Sequence, residues 1–382
     1  MADDTIDGGG GAAAGLALIV LTLAGWTAVP LLIEEFTADI DNWTANGWRY
    51  GFAALLWMPL LIGKALTGKW RPGLFAAALV PGLVNAVAQV CFTTSFYKID
   101  PSLMTFGLRF QMVAVTVGAA LFFPAERRVI RAPMFLLGMA LLILGIIATA
   151  LIQPAAATES ADAAAPPPED TAATVAGVLL SIGAGGGFGA YAIAVRWFMR
   201  PFGVMESFAA VSQYTAACMI LLMFVFAEQR PGDLLGGGVA IDMTAPRLGL
   251  FLLSAVIGIA AGHVIYYASI ARLGVTVSSG IIQLQPFTVA VASVAIYGAA
   301  KEQLAPAQWI TGLVAVAGAI VMLAVQHRVS ARAKAERLAE GKPIHDYARD
   351  LEDYEHLPPD MVAAASINEE AAAEQAAQRP AP

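Results

Sequence analysis

Charged side chains are scarce in this sequence. Only 13% of its 382 residues are Asp, Glu, Lys or Arg, while 58% are hydrophobic. Soluble globular domains carry about 25% charged residues, so the scarcity excludes a soluble domain surrounded by water. The mean hydropathy of +0.68 agrees, and we predict an integral membrane protein.

Cysteine and catalytic motifs are also scarce. Cys91 and Cys218, the two cysteines, lie inside long apolar runs, where free cysteine behaves as a small hydrophobe. This pattern favours neither a disulfide framework nor a redox centre. The chain has no HExxH motif, Gly-rich phosphate loop or cluster of metal-ligand spacing. We therefore expect no enzyme activity, no cofactor or metal, and no nucleic-acid partner.

Long apolar runs dominate the sequence instead. A helix needs about 20 apolar residues to cross roughly 30 Å of hydrocarbon. The runs are continuous and rich in Leu, Ala, Val and Gly, which favours helices over the short alternating strands of a barrel. The sequence predicts an all-α membrane protein with ten transmembrane helices at 14–33, 44–63, 73–94, 102–123, 133–152, 175–195, 204–226, 247–270, 276–299 and 306–326.

The distribution of Lys and Arg predicts the orientation. Basic residues are concentrated after the even-numbered spans, which places that side in the cytoplasm. The N-terminal sequence MADDTIDGGGG lacks the basic region of a cleaved signal peptide, so the first helix is expected to be retained. We predict a multi-pass protein of the inner (plasma) membrane with both termini cytoplasmic.

The two halves of the chain resemble each other. A shift of 174 residues aligns polar, Gly and Pro positions without a gap, and a shift of 164 aligns the second and seventh spans. Chance alignment of Ala- and Gly-rich helices is the alternative, but the polar and Pro matches at the 174-residue shift share one register. The pairs are Pro72 with Pro246, Ser95 with Ser269, Lys98 with Arg272, Gln111 with Gln285, Gly138 with Gly312, Arg49 with Gln213 and Tyr50 with Tyr214.

Five spans per half is an odd number, so the second copy must enter the membrane upside down. This is the inverted-repeat plan of many secondary transporters. The predicted division is a first repeat at 1–152, a Pro/Ala-rich extracytoplasmic linker at 153–174, a second repeat at 175–327, and a largely disordered cytoplasmic tail at 328–382.

Arg109 is the most informative polar residue inside a predicted span. It lies about 11 Å below the outer interface, and Ser102, Thr105 and Thr116 share its helix face. The 174-residue shift places Gln283 opposite Arg109 in the repeat. The stripe is expected to face a cavity, although a structural contact of Arg109 with helix ends or backbone carbonyls is an alternative.

Arg49 lies about 8 Å from the same interface, and its repeat counterpart Gln213 approaches from the cytoplasmic side. No Asp or Glu lies in the middle of a span to neutralise either cation. Insertion of an unpaired cation into the membrane costs about 2.5 to 3.5 kcal/mol, which is tolerable if an anionic ligand completes the site. Snorkelling of Arg49 to the lipid headgroups is the alternative.

A second polar stripe runs along the third span. Asn85, Gln89 and Thr93 recur every four residues, and their repeat partners include His263 and Tyr267. His263 changes charge near neutral pH, so it is either a proton-coupling group or a neutral histidine bonded to a neighbouring helix. Gln285 is offset by about 200° from Gln283 on a helix and is not expected to face the cavity of Arg109, unless it lines a helix broken before Pro286.

Three segments together resemble the EamA family of the drug/metabolite transporter superfamily. They are WRYGFAALLW, SFYKIDPSLMTFGLRF and ASIARLGVTVSSGIIQLQPFTVAVASV with Glu302 after it. The resemblance covers roughly 14–326 and implies an exporter or facilitator, with helices 1 to 4 and 6 to 9 around a central cavity. Arg49 and Pro286 match the family pattern, whereas Arg109 departs from it.

These inferences predict a secondary transporter of a small anionic or zwitterionic metabolite, such as an amino acid, that works by alternating access. A flippase for an anionic lipid or lipid-linked sugar and a non-transporting membrane sensor are the alternatives. The expected partners are the solute and the bilayer, and a homodimer is left open. The predicted solute-binding residues are Arg109, Arg49, Gln89, Gln283, His263, Trp26, Tyr267, Thr105 and Gln213.

Overall fold

All regular elements that the computed structural model describes are helical. It describes residues 8–69, 71–122, 127–152, 171–273, 278, 281–298 and 305–339. The α-helices in these ranges are α1 Gly8–Phe36, α2 Asn42–Leu66, α3 Leu74–Ser95, α4 Pro101–Leu108, α5 Gln111–Phe122, α6 Arg127–Ile130, α7 Pro133–Leu151, α8 Thr171–Phe198, α9 Val204–Phe226, α10 Ala245–Ala255, α11 Gly262–Leu273, α12 Gln285–Tyr297 and α13 Pro306–Ala339. A 3-10 helix spans Gly238–Asp242, and a π-helical segment, Val256–Ala261, joins α10 to α11.

Six helical stretches among the described residues are long and apolar enough to cross a membrane. They are Ala13–Phe36, Leu74–Ser95, Ala172–Phe198, Met205–Phe226, Ala245–Tyr266 and Pro306–Val329. Two shorter apolar helices, Pro133–Thr149 and Gln285–Tyr297, lie in the fifth and ninth predicted spans. The second span, α2, carries Arg49 and Lys64, which lower its hydropathy, and the fourth is divided between α4 and α5. The all-helical membrane protein is confirmed, with six rather than ten helices meeting this criterion.

Close antiparallel contacts join helices of the two halves. Gly145 of α7 faces α13 so closely that a Cβ atom on it would lie 2.5 Å from the backbone nitrogen of Ala315. Gly138, two turns earlier, meets Gly318 in the same way. Small residues at such positions let helix backbones approach and pack. The pair α7 and α13 therefore forms one tightly packed unit.

Helix α1 packs against several elements of the second half. It runs antiparallel to α10 and α11, where Phe36 meets Phe251 with ring centroids 5.2 Å apart. It runs parallel to α12, where the hydroxyls of Thr27 and Thr288 lie 2.6 Å apart. Tyr297 then donates to the carbonyl of Leu31 over 3.1 Å. Helix α1 is thus held between α11 and α12.

The fourth and ninth predicted spans turn at matching positions. Residues 109–110 separate α4 from α5, and residues 283–284, which lie 174 positions later, precede α12. Both turns are closed by bonds over three residues, from Phe110 N to Gly107 O and from Leu284 N to Ile281 O, each 3.0 Å. The two turns are thus 174 residues apart, which is the shift that aligns the two halves of the sequence.

One end of the molecule carries acid–base pairs, some near the end of α1 and others in the connection between α9 and α10. Arg247 of α10 donates to Asp39 over 2.7 Å and to Glu35 over 3.4 Å. In the connection between α9 and α10, Arg230 bonds Asp233 and Asp242, which raises its pKa. These pairs fasten the connections at this end.

The opposite end is fastened by Glu206, a buried carboxylate at the start of α9. It forms an ion pair with Lys64 of α2 and lies 3.8 Å from Nε of Arg71. Its Oε2 also accepts from the backbone N–H of Gly203 over 3.3 Å. Arg71 donates to the carbonyl of Pro201 over 2.7 Å. The turn after α2 is thereby tied to α9.

Candidate solute-binding site

Arg109 lies at the turn between α4 and α5, with 6% of its surface exposed. Its Nε donates to the carbonyl of Thr105 over 3.2 Å. Nη1 donates to the carbonyl of Ile282 over 3.2 Å and to Oε1 of Gln283 over 3.4 Å. Nη2 donates to Oε1 of Gln285 over 2.7 Å. The guanidinium therefore joins the two broken spans.

Every acceptor of Arg109 in the described part of the chain is a neutral oxygen. Among the described residues, the ion pairs within 4.0 Å engage other cations, and neither Arg109 nor Arg49 has a carboxylate partner. Neutral acceptors satisfy the guanidinium N–H groups but leave its net charge without a counter-charge, which is costly in a buried position.

Gln285 extends this cluster to α1. Its Nε2 donates to the carbonyl of Trp26 over 2.6 Å, while its Oε1 accepts from Arg109. The expectation that Gln285 points away from Arg109 is wrong. It assumed a regular helix between Gln283 and Gln285, and the turn at 283–284 interrupts that helix. Arg109, Gln285 and Trp26 instead form a continuous chain of hydrogen bonds across α4, α12 and α1.

Arg49 is held separately, between α2 and α10. Only 2% of its surface is exposed, and its Nε donates to Oγ of Ser254 over 3.0 Å. Its Nη2 would lie 3.4 Å from a Cβ placed on Gly258, inside the π-helical segment. Snorkelling to the headgroups is therefore wrong for this conformation. Arg49 is a second buried guanidinium with a neutral partner.

Aromatic rings flank Trp26 on the side of α11. Its ring lies 5.5 Å from His263 and 5.1 Å from Tyr266, and His263 stacks on Phe208 at 5.3 Å. Nδ1 of His263 is buried and has no hydrogen-bond partner among the described residues. The side chain of Tyr267 lies outside the described part of the structure.

The stripe on α3 is used largely for helix packing. Asn85 donates to Oγ1 of Thr215 on α9 over 3.1 Å, and Thr93 donates to Oδ1 of Asn46 on α2 over 2.7 Å. Gln89, between them, is half-buried, and its backbone carbonyl accepts from Asn46 over 3.4 Å. These contacts connect α3 to α2 and α9 rather than to Arg109.

Gln213 lies away from the cluster around Arg109. Its Nε2 donates to the carbonyls of Ala54 and Ala209 over 3.0 and 3.4 Å. The same side chain borders an open cleft of about 350 Å³, whose other lining residues are Met58, Leu61, Ile62, Ala65 and Phe75. The structure therefore brings Arg109, Thr105, Gln283 and Trp26 together and leaves Arg49, Gln89 and Gln213 elsewhere.

Comparisons with known proteins agree with this architecture. Fourteen solved chains match the structure, and one of them, a protein crystal structure, aligns with a TM-score of 0.52 at 14% identity over 84% of this chain and 98% of that chain. That likeness concerns the fold alone. No curated protein matches. Residues 175–324 match the EamA-like transporter family. The resemblance seen in the sequence is therefore confirmed through this segment.

Proposed function

We propose that this protein is a secondary transporter of a small anionic or zwitterionic metabolite. The observation that carries the proposal is Arg109, a buried guanidinium at the turns of two helices whose acceptors, among the described residues, are all neutral. An oxyanion forms stronger, charge-assisted bonds with a guanidinium than an amide does. The match of residues 175–324 to the EamA-like transporter family supports a transporter.

The proposed architecture is ten membrane-crossing helices in two inverted repeats. The matched turns at 109–110 and 283–284 support it. So does the bond from Arg109 to Gln283, because each residue is the repeat counterpart of the other. In a pair of units related by a two-fold axis, a residue on the axis meets its own counterpart. Discontinuous helices of this kind commonly form the solute sites of transporters.

Alternating access would then open the two ends in turn. The end fastened by Glu206 with Lys64 would separate in one state, and the end fastened by Arg247 with Asp39 in the other. The positive-inside rule places the Lys64 end in the cytoplasm. In this proposal the protein resides in the inner (plasma) membrane and both termini are cytoplasmic.

The test is a comparison of metabolites inside and outside cells that overproduce the protein. The wild type is expected to shift at least one anionic or zwitterionic metabolite across the membrane. Arg109→Ala is expected to abolish the shift, and Arg109→Lys to reduce it, because an ammonium cannot present two parallel N–H donors. The matched control is Arg230→Ala, which removes an arginine from a connection instead of the buried cluster. Unchanged flux in a well-folded Arg109→Ala protein would contradict the proposal.

A further inference from the structure

The carboxamide of Gln285 makes the two shortest bonds of the buried cluster. Its Oε1 accepts from Arg109 over 2.7 Å and its Nε2 donates to the carbonyl of Trp26 over 2.6 Å. Gln283, in comparison, meets Arg109 at 3.4 Å. One planar group thus presents an acceptor to the cation and a donor to a backbone oxygen.

Pro30 explains why the carbonyl of Trp26 is available. In an α-helix this carbonyl accepts from the N–H four residues later, which is position 30 in α1. Pro30 has no N–H, so α1 leaves the carbonyl of Trp26 without its regular helical donor. Gln285 supplies a donor instead. The sequence of α1 therefore creates a buried acceptor beside the buried cation.

The arrangement matches the chemistry of a solute that carries an oxyanion next to an N–H or O–H donor. The carboxamide oxygen occupies the position on Nη2 of Arg109 that a carboxylate or phosphate oxygen would take. The carboxamide N–H₂ occupies the position of the adjacent donor at Trp26. An ionised acceptor binds a guanidinium more strongly than a neutral one, and the difference increases where water is excluded.

We propose that Gln285 is an internal competitor for the solute, resting on the function proposed above. The oxyanion of the solute displaces Oε1 of Gln285 from Arg109, and the donor of the solute replaces Nε2 at the carbonyl of Trp26. Displacement of Gln285 removes one of the bonds between α12 and α1, a helix pair that the Thr27 to Thr288 and Tyr297 to Leu31 contacts also connect. Solute binding thereby loosens α12 from α1, which couples occupancy to opening.

The experiment measures binding of two probes to the purified full chain in lipid nanodiscs, at fixed chloride concentration. Glycine is the minimal oxyanion with a neighbouring donor, and acetate is the oxyanion alone. Removing the competitor in Gln285→Ala is expected to lower the half-saturating glycine concentration about tenfold. The gain for acetate is expected to be smaller, because acetate leaves the Trp26 carbonyl without a donor. Gln308→Ala is the matched control, because it removes a buried carboxamide that bonds the carbonyls of Thr149 and Ile152 instead of the cluster, and less than a twofold change is expected.

A second variant, Gln285→Glu, keeps Arg109 occupied by a protein side chain. Gln285→Glu places a permanent carboxylate on Arg109 and is expected to fold and to bind neither probe, and its thermal midpoint reports folding independently. The proposal is overturned if Gln285→Ala binds glycine no more tightly than the wild type, or if Gln285→Glu binds either probe as the wild type does. Arg109-dependent flux in the wild type would still support transport in that event, so the two proposals fail separately.

Discussion

At the scale of single residues, the two buried arginines are held by different partners. Arg109 has four acceptors from two spans, whereas Nε of Arg49 has a single side-chain acceptor, Oγ of Ser254. Both cations are evident from the sequence, because each interrupts an apolar run. The partners of Arg109 depend on the turns at 109–110 and 283–284, and regular helical phase does not describe such positions. This is why helical phase directs Gln285 away from Arg109, although the two side chains lie 2.7 Å apart.

Replacement of Ser254 tests the support of Arg49. Ser254→Ala removes the acceptor of a buried charged donor, and a lost bond to a charged group costs about 1.5–3 kcal/mol. The expected result is a lower thermal midpoint by differential scanning fluorimetry. Ser212→Ala is the control, because the Ser212 hydroxyl is equally buried but bonds only the carbonyl of Ala209 in its own helix. Equal midpoints for the two variants would contradict the assigned role of Ser254.

At the scale of helices, long apolar runs predict the elements, whereas local irregularities escape prediction. Each of the ten predicted spans coincides with helical residues, because a continuous apolar run in a membrane must satisfy its backbone internally. The turn at 109–110 is not predicted, since Arg109 and Phe110 are not helix breakers. The π-helical segment Val256–Ala261 is not predicted either, because its sequence VIGIAA is compatible with an ordinary helix.

The contact between α7 and α13 provides a prediction at this scale. Gly145→Ala forces a methyl group against the backbone of Ala315, and overpacking of this kind typically costs about 1–3 kcal/mol. A lower thermal midpoint is expected. In Gly63→Ala, where nothing lies within 4 Å of the added Cβ, the midpoint should stay equal or rise, because alanine favours helices over glycine. A Gly145→Ala protein as stable as Gly63→Ala would show that the helices adjust without cost.

At the scale of the whole molecule, the orientation of the two ends is a prediction from charge. Lys69 follows α2, and Leu234, which is 93% exposed, lies in the connection after α9. In a background with Cys91 and Cys218 replaced by alanine, Leu234→Cys is expected to react with a membrane-impermeant maleimide in intact cells. Lys69→Cys should react only after the cells are permeabilised. Labelling of both positions in intact cells would contradict the predicted orientation.

The last helix, α13, is longer than its apolar part. It runs for 34 residues, Pro306–Ala339, which corresponds to about 51 Å at 1.5 Å per residue. The stretch suited to hydrocarbon ends at Val329, so about 15 Å of rigid rod extends past the lipid core. If α13 tilts during a conformational cycle, its end at Ala339 moves with it, so that a tilt inside the membrane is transmitted along the helix to its polar end.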